Sequence, residues 1–410
     1  MGAVENLSFK KVYTLKAQTP IIHFQPDQSG ASLRATEVKP KLDRFIRNRL
    51  GDQIKADWYV KEDVNALNYR LTFATIGEQN IVDPKDNKDY DIYYGNMSSD
   101  DNKKKAVYKK LIINDIKMTV LCTIPELMNA IDSLVAEFFA VTNFGTMQNK
   151  GFGSYIVLEQ KAWYAPDNIK SALKCMSGAP VCYSFVPSYA NNVFKAIKTV
   201  YSLMKSGVNF YEYQRSLLFL FMHDEYEIGN EKACLKQEEM VPTNVGKHAS
   251  EWYRNDSKHE TYYVRALLGV GEHLNFINDL KNRKDKTVVN ISCVDKDEKD
   301  KNKKAVERLA SPVFFKVIDD KVYFVANRIN EKIYGKEFEF SVKVSEDVYD
   351  EINLCVPSKE ELGVDFIDKF MAYCVEMLNG RRGLNDSVLQ KFNNKQSLIR
   401  LSNGIAITEG

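Results

Sequence analysis

Residues 143–157, NFGTMQNKGFGSYIV, combine residue types that could bind a chain of phosphates. Six of them could make such contacts: Gly145, Asn149, Lys150, Gly151, Phe152 and Gly153. The glycines would let the main chain approach a ligand and point its N–H groups at phosphate oxygens. The lysine adds a charge, the asparagine a donor and an acceptor, and the phenylalanine a face on which a base could stack. The same composition is also typical of a plain connecting loop with glycines at positive φ, so both interpretations stay open.

Histidine is the residue type that could add catalysis to binding. Metal-free cleavage of RNA needs one group to deprotonate a 2′-hydroxyl and another to protonate the leaving oxygen, usually histidine. His23, in the stretch PIIHFQ, is the only histidine in the first half of the chain. It keeps a general acid or base role open, although its apolar neighbours favour a hydrogen-bonded structural histidine over that role.

The sequence lacks the usual patterns for metals and nucleotide cofactors. The other four histidines are scattered over the second half, and no two of them have metal-ligand spacing. The seven cysteines include no CxxC pair and lie mostly among apolar residues, which predicts reduced thiols. No Walker loop, nucleophile elbow or dinucleotide fingerprint is present in the sequence. We therefore expect neither a metal nor another cofactor.

Charge and hydropathy limit the partners that the protein could have. The formal net charge is +2, from 57 basic and 55 acidic side chains, so any nucleic-acid surface must be local. No apolar run approaches the length of a membrane-spanning helix, and the first residues lack the apolar block of a signal peptide. We expect a cytoplasmic protein that does not contact a membrane.

The glycine-rich loop belongs to a regular alternation of predicted elements. Apolar alternation predicts four strands, at about residues 9–19, 66–77, 111–124 and 154–160. Helical spacing predicts one helix from about Pro40 to Leu50 and another after Pro125, where Thr123 and Glu126 suit a capping box. Strand, helix, strand, strand, helix, strand is the split βαβ order of a ferredoxin-like domain. The loop then joins the second helix to the fourth strand.

The second half also predicts a mixture of helices and strands. VCYSFV reads as a strand and NNVFKAIKTVYSLM as a helix, followed by a largely helical insertion and then by strands. One strand pair is a hairpin that turns at Asp319 and Asp320. A late helix ends in NGRRGLND, where Arg381 and Arg382 could contact phosphates. Basic residues are also favourable in themselves at a helix C-terminus.

The loop and its neighbours resemble the RAMP superfamily, the ferredoxin-like RNA-binding proteins of CRISPR systems. A helix followed by GTMQNKGFGS and a strand is similar to their glycine-rich loop, and GASLRA is similar to the SxLRG turn after their first strand. RALLGV and ERLASPVFFKV resemble second-half stretches of the first RAMP subunit of the type III-B Cmr complex. The resemblance implies an α+β chain of two ferredoxin-like (RRM-like) domains. These would be residues 1–165, with the glycine-rich loop, and residues 180–410, with a helical insertion near 188–270.

The resemblance also implies a function. The protein would be a non-catalytic RNA-binding subunit that caps a type III CRISPR ribonucleoprotein near the 3′ part of the guide RNA, in antiviral defence. Its partners would be guide RNA, single-stranded target RNA and other RAMP subunits. Candidate RNA contacts outside the loop are Ser32, Arg34, Lys39, Lys41 and Arg44. Two alternatives stay open, namely a guide-processing RAMP endoribonuclease with His23 as general acid or base, and a scaffold whose loops contact only protein.

Overall fold

The computed structural model describes residues 9–22, 33–61, 64–78, 80–82, 111–187, 193–209, 213–241, 260–277, 286–293, 309–344 and 349–380. These residues form two compact units. The first unit contains the described residues up to Ile197 together with Phe314–Val325, and the second contains those of Lys198–Val313 and from Ala326 onward. The domain boundaries at 165 and 180 stay a prediction.

Strands and short helices alternate along the described chain. The strands are β1 (Lys10–Ala17), β2 (Ile21–Ile22), β3 (Arg70–Thr75), β4 (Ile81–Val82), β5 (Leu111–Ile112), β6 (Ile116–Leu121), β7 (Tyr155–Val157), β8 (Tyr183–Phe185), β9 (Val208–Asn209), β10 (Tyr213–Gln214), β11 (Gly229–Asn230), β12 (Thr261–Tyr262), β13 (His273–Ile277), β14 (Lys286–Cys293), β15 (Val313–Ile318), β16 (Lys321–Ala326), β17 (Glu337–Lys343) and β18 (Tyr349–Cys355). The α-helices are α1 (Ala35–Leu50), α2 (Pro125–Val141), α3 (Pro166–Ser177), α4 (Val193–Lys205), α5 (Leu217–Tyr226), α6 (Glu231–Gln237), α7 (Lys359–Leu362) and α8 (Phe366–Gly380). The 3₁₀ turns are Gly51–Gln53, Ala56–Trp58, Leu158–Tyr164, Val264–Leu268 and Glu331–Ile333.

The first unit contains the predicted ferredoxin-like sheet. Its strand order is β3-β6-β1-β7, and every neighbouring pair is antiparallel. Along the chain, helix α1 follows β1 and helix α2 follows β6. This is the split βαβ topology. Apolar residues of both helices and of the inner sheet face, such as Leu42, Ile131 and Leu15, share one buried core.

Helix α1 is longer than its sequence predicts. It begins at Ala35 and contains Pro40, whereas helical spacing placed its start near that proline. Proline lacks the N–H that would bond to the carbonyl one turn earlier, so it normally marks a helix start. Two ion pairs, each between residues one turn apart, span this part of the helix: Glu37 with Lys41 and Lys39 with Asp43. Val38 is fully buried. Ion pairs within the helix and the burial of Val38 therefore support it across the proline.

The start of α2 also differs from the prediction. Ile124 is the N-cap residue and makes no side-chain cap, so the expected capping box between Thr123 and Glu126 is wrong. Glu126 instead forms an exposed ion pair with Lys55. Pro125 does occupy the first turn, as its fixed φ favours.

The remaining described sheets complete an α+β fold. Strands β13-β14-β17-β18 form an antiparallel sheet in the second unit, and β15-β16-β8 form a sheet of three strands in the first. The predicted hairpin turn is confirmed, because Asp319 and Asp320 have φ of 46° and 60°, as a type I′ turn requires. Helices α4, α5 and α6 lie within the range of the expected helical insertion. None of the helices that the structure describes is both long and apolar enough to span a membrane.

Candidate nucleic-acid interface

The glycine-rich loop joins α2 to β7, and its glycines serve close packing within the protein. Gly145, Gly151 and Gly153 have φ of 79°, 83° and 71°. A Cβ atom at Gly145 would lie 2.3 Å from the carbonyl oxygen of Ile22, and one at Gly153 would lie 2.0 Å from that of Phe144. The main chain approaches other main chain at these points. The glycines are therefore required by the fold of the loop, whether or not a ligand binds.

The N–H groups of the three glycines all have acceptors inside the protein. Gly145 donates to a carboxylate oxygen of Glu37 at 2.8 Å. The N–H of Gly153 donates to the carbonyl of Pro20 at 2.9 Å, and that of Gly151 donates to a carbonyl within the loop at 3.1 Å. These groups do not point outward at a phosphate, which corrects the role expected for them. At Gly145 the anion is supplied by the chain itself.

Lys41 ties the loop to helix α1. Its ammonium donates to Oε1 of Glu37 and to the carbonyl of Asn143, both at 3.1 Å, and to Oε1 of Gln148 at 2.8 Å. Burial lowers the pKa of Lys41, and the nearby Glu37 carboxylate opposes that change. These contacts use the three donors of an ammonium group, so the phosphate contact expected of Lys41 is replaced by a structural one.

Lys39, two residues before Lys41 on α1, is used in the same way. Its Nζ lies 2.7 Å from a carboxylate oxygen of Asp43 and 2.9 Å from the carbonyl of Leu67. It also lies 4.3 Å from the centroid of the Tyr69 ring, a cation–π distance. The expected RNA contact of Lys39 is therefore also replaced by contacts within the first unit.

Phe152 lies in the core. Its side chain is 2% exposed, and its ring stacks on that of Phe194 with centroids 3.9 Å apart and planes at 14°. The base-stacking face expected at this position is therefore covered, which corrects that interpretation. Asn149 and Lys150, earlier in the loop, lie beside β15. The Phe315 N–H donates to the Asn149 carbonyl at 3.1 Å, and Nζ of Lys150 lies 5.9 Å from the Phe315 ring centroid.

Two of the predicted contacts remain on the surface. Arg34 is exposed at the start of α1 and Arg44 is exposed two to three turns further along. Ser32, His23 and the pair Arg381 and Arg382 lie outside the described residues. The structure therefore brings the predicted loop and helix residues together, but it leaves only the two arginines clearly exposed to solvent.

Sequence reasoning missed a buried polar group behind the loop. Lys316 on β15 is 0% exposed, and its ammonium donates to the carbonyl of Thr142 at 2.8 Å and to Oδ1 of Asn143 at 3.1 Å. The Asn143 amide in turn donates to the carbonyls of Gln148 and Phe315. Burial holds the pKa of Lys316 well below its usual range. The available signal was a lysine inside the apolar run VFFKVI, a run that the structure buries on both faces.

An exposed part of the ferredoxin-like sheet carries the second feature that was missed. Directly paired residues of neighbouring antiparallel strands point to the same face. Three such rows across β3, β6 and β1 are exposed or half-buried, and together they are called the open sheet face: Arg70, Leu121 and Lys10; Thr72, Thr119 and Val12; Ala74, Lys117 and Thr14. Apolar alternation identifies the buried residues of each strand, but it does not show which exposed residues of neighbouring strands lie side by side.

The open sheet face combines positive charge with apolar surface. Its nine residues include three cations and no carboxylate, while Val12 and Leu121 are 41% and 42% exposed. Cations and hydroxyls can hold phosphates, and aliphatic side chains can contact sugars and bases. Among the described residues, no group of three or more His, Cys, Asp or Glu side chains could hold a metal ion. The side chains of this face are of the types that can contact an extended anionic chain.

Comparison with known proteins gives a family for both halves of the chain. Residues 8–208 match the family model described as the Cmr1 N-terminal domain, and residues 213–396 match that of the Cmr1 C-terminal domain. No curated protein sequence matches the chain.

Two solved structures are similar to parts of the chain. One is the apo crystal structure of Cmr1 from Pyrococcus furiosus, at 9% identity over 78% of this chain and 89% of that chain, with a TM-score of 0.37. The other belongs to the cryo-EM structure of the type III-B Cmr-beta complex bound to cognate target RNA. That match has 14% identity and a TM-score of 0.26, and covers 36% of this chain and 58% of the matched chain, less than two thirds of its length.

Proposed function

Because the chain belongs to the Cmr1 family of type III-B CRISPR effector subunits, we propose that it binds single-stranded RNA and does not cleave it. The RNA is guide RNA, near its 3′ part, and single-stranded target RNA, in a cytoplasmic complex with other RAMP subunits that acts in antiviral defence. This assignment names a ligand and a role that go beyond family membership.

The open sheet face is the observation that carries the proposal. Arg70, Lys10 and Lys117 lie in two of its three rows, and each is exposed. Exposed cations attract the phosphates of a nucleic-acid strand and release its condensed counterions. The threonines of the middle row add hydroxyl donors, and the exposed aliphatic residues suit sugar and base contacts. Binding of this kind depends mainly on contacts with the sugar-phosphate backbone of the RNA and not on its base sequence.

Helix α1 supplies a second set of contacts, through Arg34 and Arg44. The glycine-rich loop acts on them indirectly, because Glu37 and Lys41 join the loop to the first turns of this helix. The loop in this proposal positions the helix and does not itself cradle a phosphate.

Two other functions make different predictions. A guide-processing endoribonuclease with His23 as general acid or base would cleave RNA without a metal. A scaffold without RNA contacts would use the exposed Val12 and Leu121 to bind a protein neighbour.

A binding and cleavage assay separates the three functions. The full chain, alone and with its effector complex, is mixed in chelator at neutral pH with single-stranded repeat RNA labelled at either end. We expect a shifted and uncut RNA. Cleavage at one defined position that His23→Ala slows by about 100-fold or more would establish the nuclease instead. No RNA shift in either setting would favour the scaffold.

A further inference from the structure

Strand β18 lies at one edge of the four-stranded sheet in the second unit. The strand order is β13-β14-β17-β18, and β17 pairs with one side of β18 over its whole length. Within the described residues, no other strand of this sheet pairs with the opposite side. An edge strand presents a row of main-chain N–H and C=O groups with which a further strand can pair.

The hydrogen bonds at the end of β18 show which of its residues point outward. The N–H of Val356, just after β18, donates to the carbonyl of Lys336, just before β17, at 2.9 Å. The Cys355 carbonyl instead accepts from the Tyr263 N–H at 2.8 Å, outside this strand pair. The bonded side alternates from residue to residue in an antiparallel pair. The main-chain groups of every second residue before Cys355 therefore also point outward: Asn353, Glu351 and Tyr349.

The outward row is accessible. Tyr349, Glu351 and Asn353 are exposed, and the Tyr349 side chain is 45% exposed. In the part of the chain that the structure describes, no main-chain group bonds to the outward N–H and C=O groups of these three residues. Residues 349–353 are long enough to pair with a short strand, since strands of three or more residues are common.

Two adjacent carboxylates give this edge a negative charge on both faces of the sheet. Asp350 and Glu351 are both exposed, and successive side chains of a strand point to opposite faces. Their direct neighbours on β17 are Val342 and Ser341, and neither of these is charged. Opposite charges placed directly across two strands stabilise the pairing, and like charges destabilise it. A strand added beside β18 would therefore be favoured by a cation on each face.

The same charges disfavour pairing of β18 with a second copy of the chain. A two-fold antiparallel pair centred on this part of the strand would place carboxylate opposite carboxylate, whether Asp350 or Glu351 lies nearer the axis. A phosphate backbone would meet the same repulsion. The charge of the edge therefore selects a basic partner.

We propose that β18 binds an extended segment of another protein that carries two consecutive basic residues, and that this segment becomes the fifth strand of the sheet. Main-chain hydrogen bonds to Tyr349, Glu351 and Asn353 supply affinity, as in other cases of strand addition. The two basic side chains lie on opposite faces and pair with Asp350 and Glu351, which fixes the register. The proposal adds a protein partner to the function proposed above and does not depend on RNA binding by the open sheet face.

Fluorescence anisotropy of labelled synthetic peptides with the full chain tests the proposal. The probe is the peptide TVTKRTVT, and its controls are TVTEDTVT and a form of the probe with every amide N-methylated. We expect saturable binding of the probe, and binding at least about tenfold weaker for each control, because one lacks the cations and the other lacks the main-chain donors. Absence of saturable binding would mean that the carboxylates keep the edge unpaired, and it overturns the proposal. Equal binding of all three peptides also overturns it.

Variants of the chain locate the binding at β18. Glu351→Lys should weaken binding of the probe about threefold or more, whereas Glu360→Lys, at an exposed position of α7, should leave it unchanged. Glu351→Pro removes an outward N–H but no bond to β17, a position where an edge strand accepts proline, so it should weaken binding more than Glu351→Gln does. If circular dichroism shows that Glu351→Pro does not fold, the N-methylated peptide with wild type tests the same hydrogen bonds. Equal binding by wild type and Glu351→Lys overturns the proposal.

Sedimentation velocity of the full chain without peptide tests the alternative occupant. We expect wild type and Glu351→Lys to sediment alike over a range of protein concentration. A dimer of the wild type that Glu351→Lys disrupts would assign the edge to a second copy of the chain and overturn the proposal.

Discussion

The N–H of Gly145 donates a 2.8 Å hydrogen bond to the carboxylate of Glu37, and the same carboxylate pairs with Lys41 at 3.1 Å. The glycine-rich loop thus has its negative partner within the protein, on helix α1. The composition of this loop suggests phosphate binding, but in the structure the loop forms hydrogen bonds that hold helix α1, the helix with the exposed arginines.

Replacing Glu37 should therefore damage stability before it affects any ligand. Glu37→Gln keeps an oxygen for the Gly145 N–H but removes the charge beside the half-buried Lys41. We expect a loss of about 1–2 kcal/mol in the free energy of unfolding, because hydrogen bonds to charged groups contribute more than neutral ones. Urea denaturation at pH 7 measures it. Glu126→Gln is the matched control, since its ion pair with Lys55 is exposed and should matter little. Equal losses of unfolding free energy in Glu37→Gln and Glu126→Gln would mean that Glu37 does not hold the loop to helix α1.

A comparison of two glycines with similar positive φ separates the cost of backbone strain from the cost of a steric clash at the added Cβ atom. Gly153 and Gly178 have φ of 71° and 69°, but a Cβ at Gly178 would meet no atom within 4 Å, whereas one at Gly153 would lie 2.0 Å from the carbonyl oxygen of Phe144. Gly178→Ala should cost about 1–2 kcal/mol from positive φ alone. Gly153→Ala should cost clearly more, or prevent folding. Denaturation midpoints that shift equally would mean that the loop relaxes and is only loosely packed.

The buried Lys316 should make stability depend on pH. Its folded pKa is depressed by burial, so between that pKa and about 10.4 the unfolded chain holds a proton that the folded chain lacks. Stability contributed by this group therefore rises with pH, by at most about 1.4 kcal/mol per pH unit. Lys205 and Lys232 act in the same direction, whereas the buried thiols of Cys182 and Cys374, whose pKa values are raised, act in the opposite direction. Lys316→Met should therefore lower the slope relative to wild type.

Urea unfolding at several pH values from 7 to 9.5 measures this slope for wild type and for Lys316→Met. Higher pH is avoided because buried tyrosines such as Tyr155 have raised pKa values, and their unfolded forms lose a proton first, which lowers stability. Lys343→Met, at an exposed position, is the control and should keep the wild-type slope. Parallel lines for all three proteins would mean that Lys316 does not change its protonation on unfolding.

The first ferredoxin-like sheet could be predicted from sequence because its signals are local. Alternation in β1 places Tyr13 and Leu15 in the core, and the change from a period of two to a period near four marks α2. The loop was correctly placed between α2 and β7 for the same reason.

The roles of individual side chains could not be predicted, because they depend on residues far away in the chain. The Lys41 ammonium donates to the carbonyl of Asn143, 102 residues later in the chain. The side-chain amide of Asn143 donates to the carbonyl of Phe315, a further 172 residues along. A lysine on an exposed-looking helix face and a phenylalanine between two glycines look like ligand contacts until such partners are known. Nor does composition show that an alternate set of strand residues forms a cationic face, since this follows from register between strands.

RNA affinity after charge reversal on the open sheet face tests whether single-stranded RNA binds there. Fluorescence anisotropy with labelled single-stranded RNA, over a range of salt, compares wild type with the double variant Arg70→Glu, Lys117→Glu. Lys161→Glu, at an exposed residue outside the defined face, is the single-charge control.

Each lost phosphate contact should reduce the slope of log affinity against log salt concentration by about 0.7. Near 0.1 M salt this corresponds to a loss of affinity of about fivefold. The double variant should therefore bind RNA at least about 20-fold more weakly at that salt concentration, with a slope smaller by about 1.4, while Lys161→Glu should bind much like wild type. Equal affinity and equal slope in wild type and the double variant would contradict RNA binding at the open sheet face.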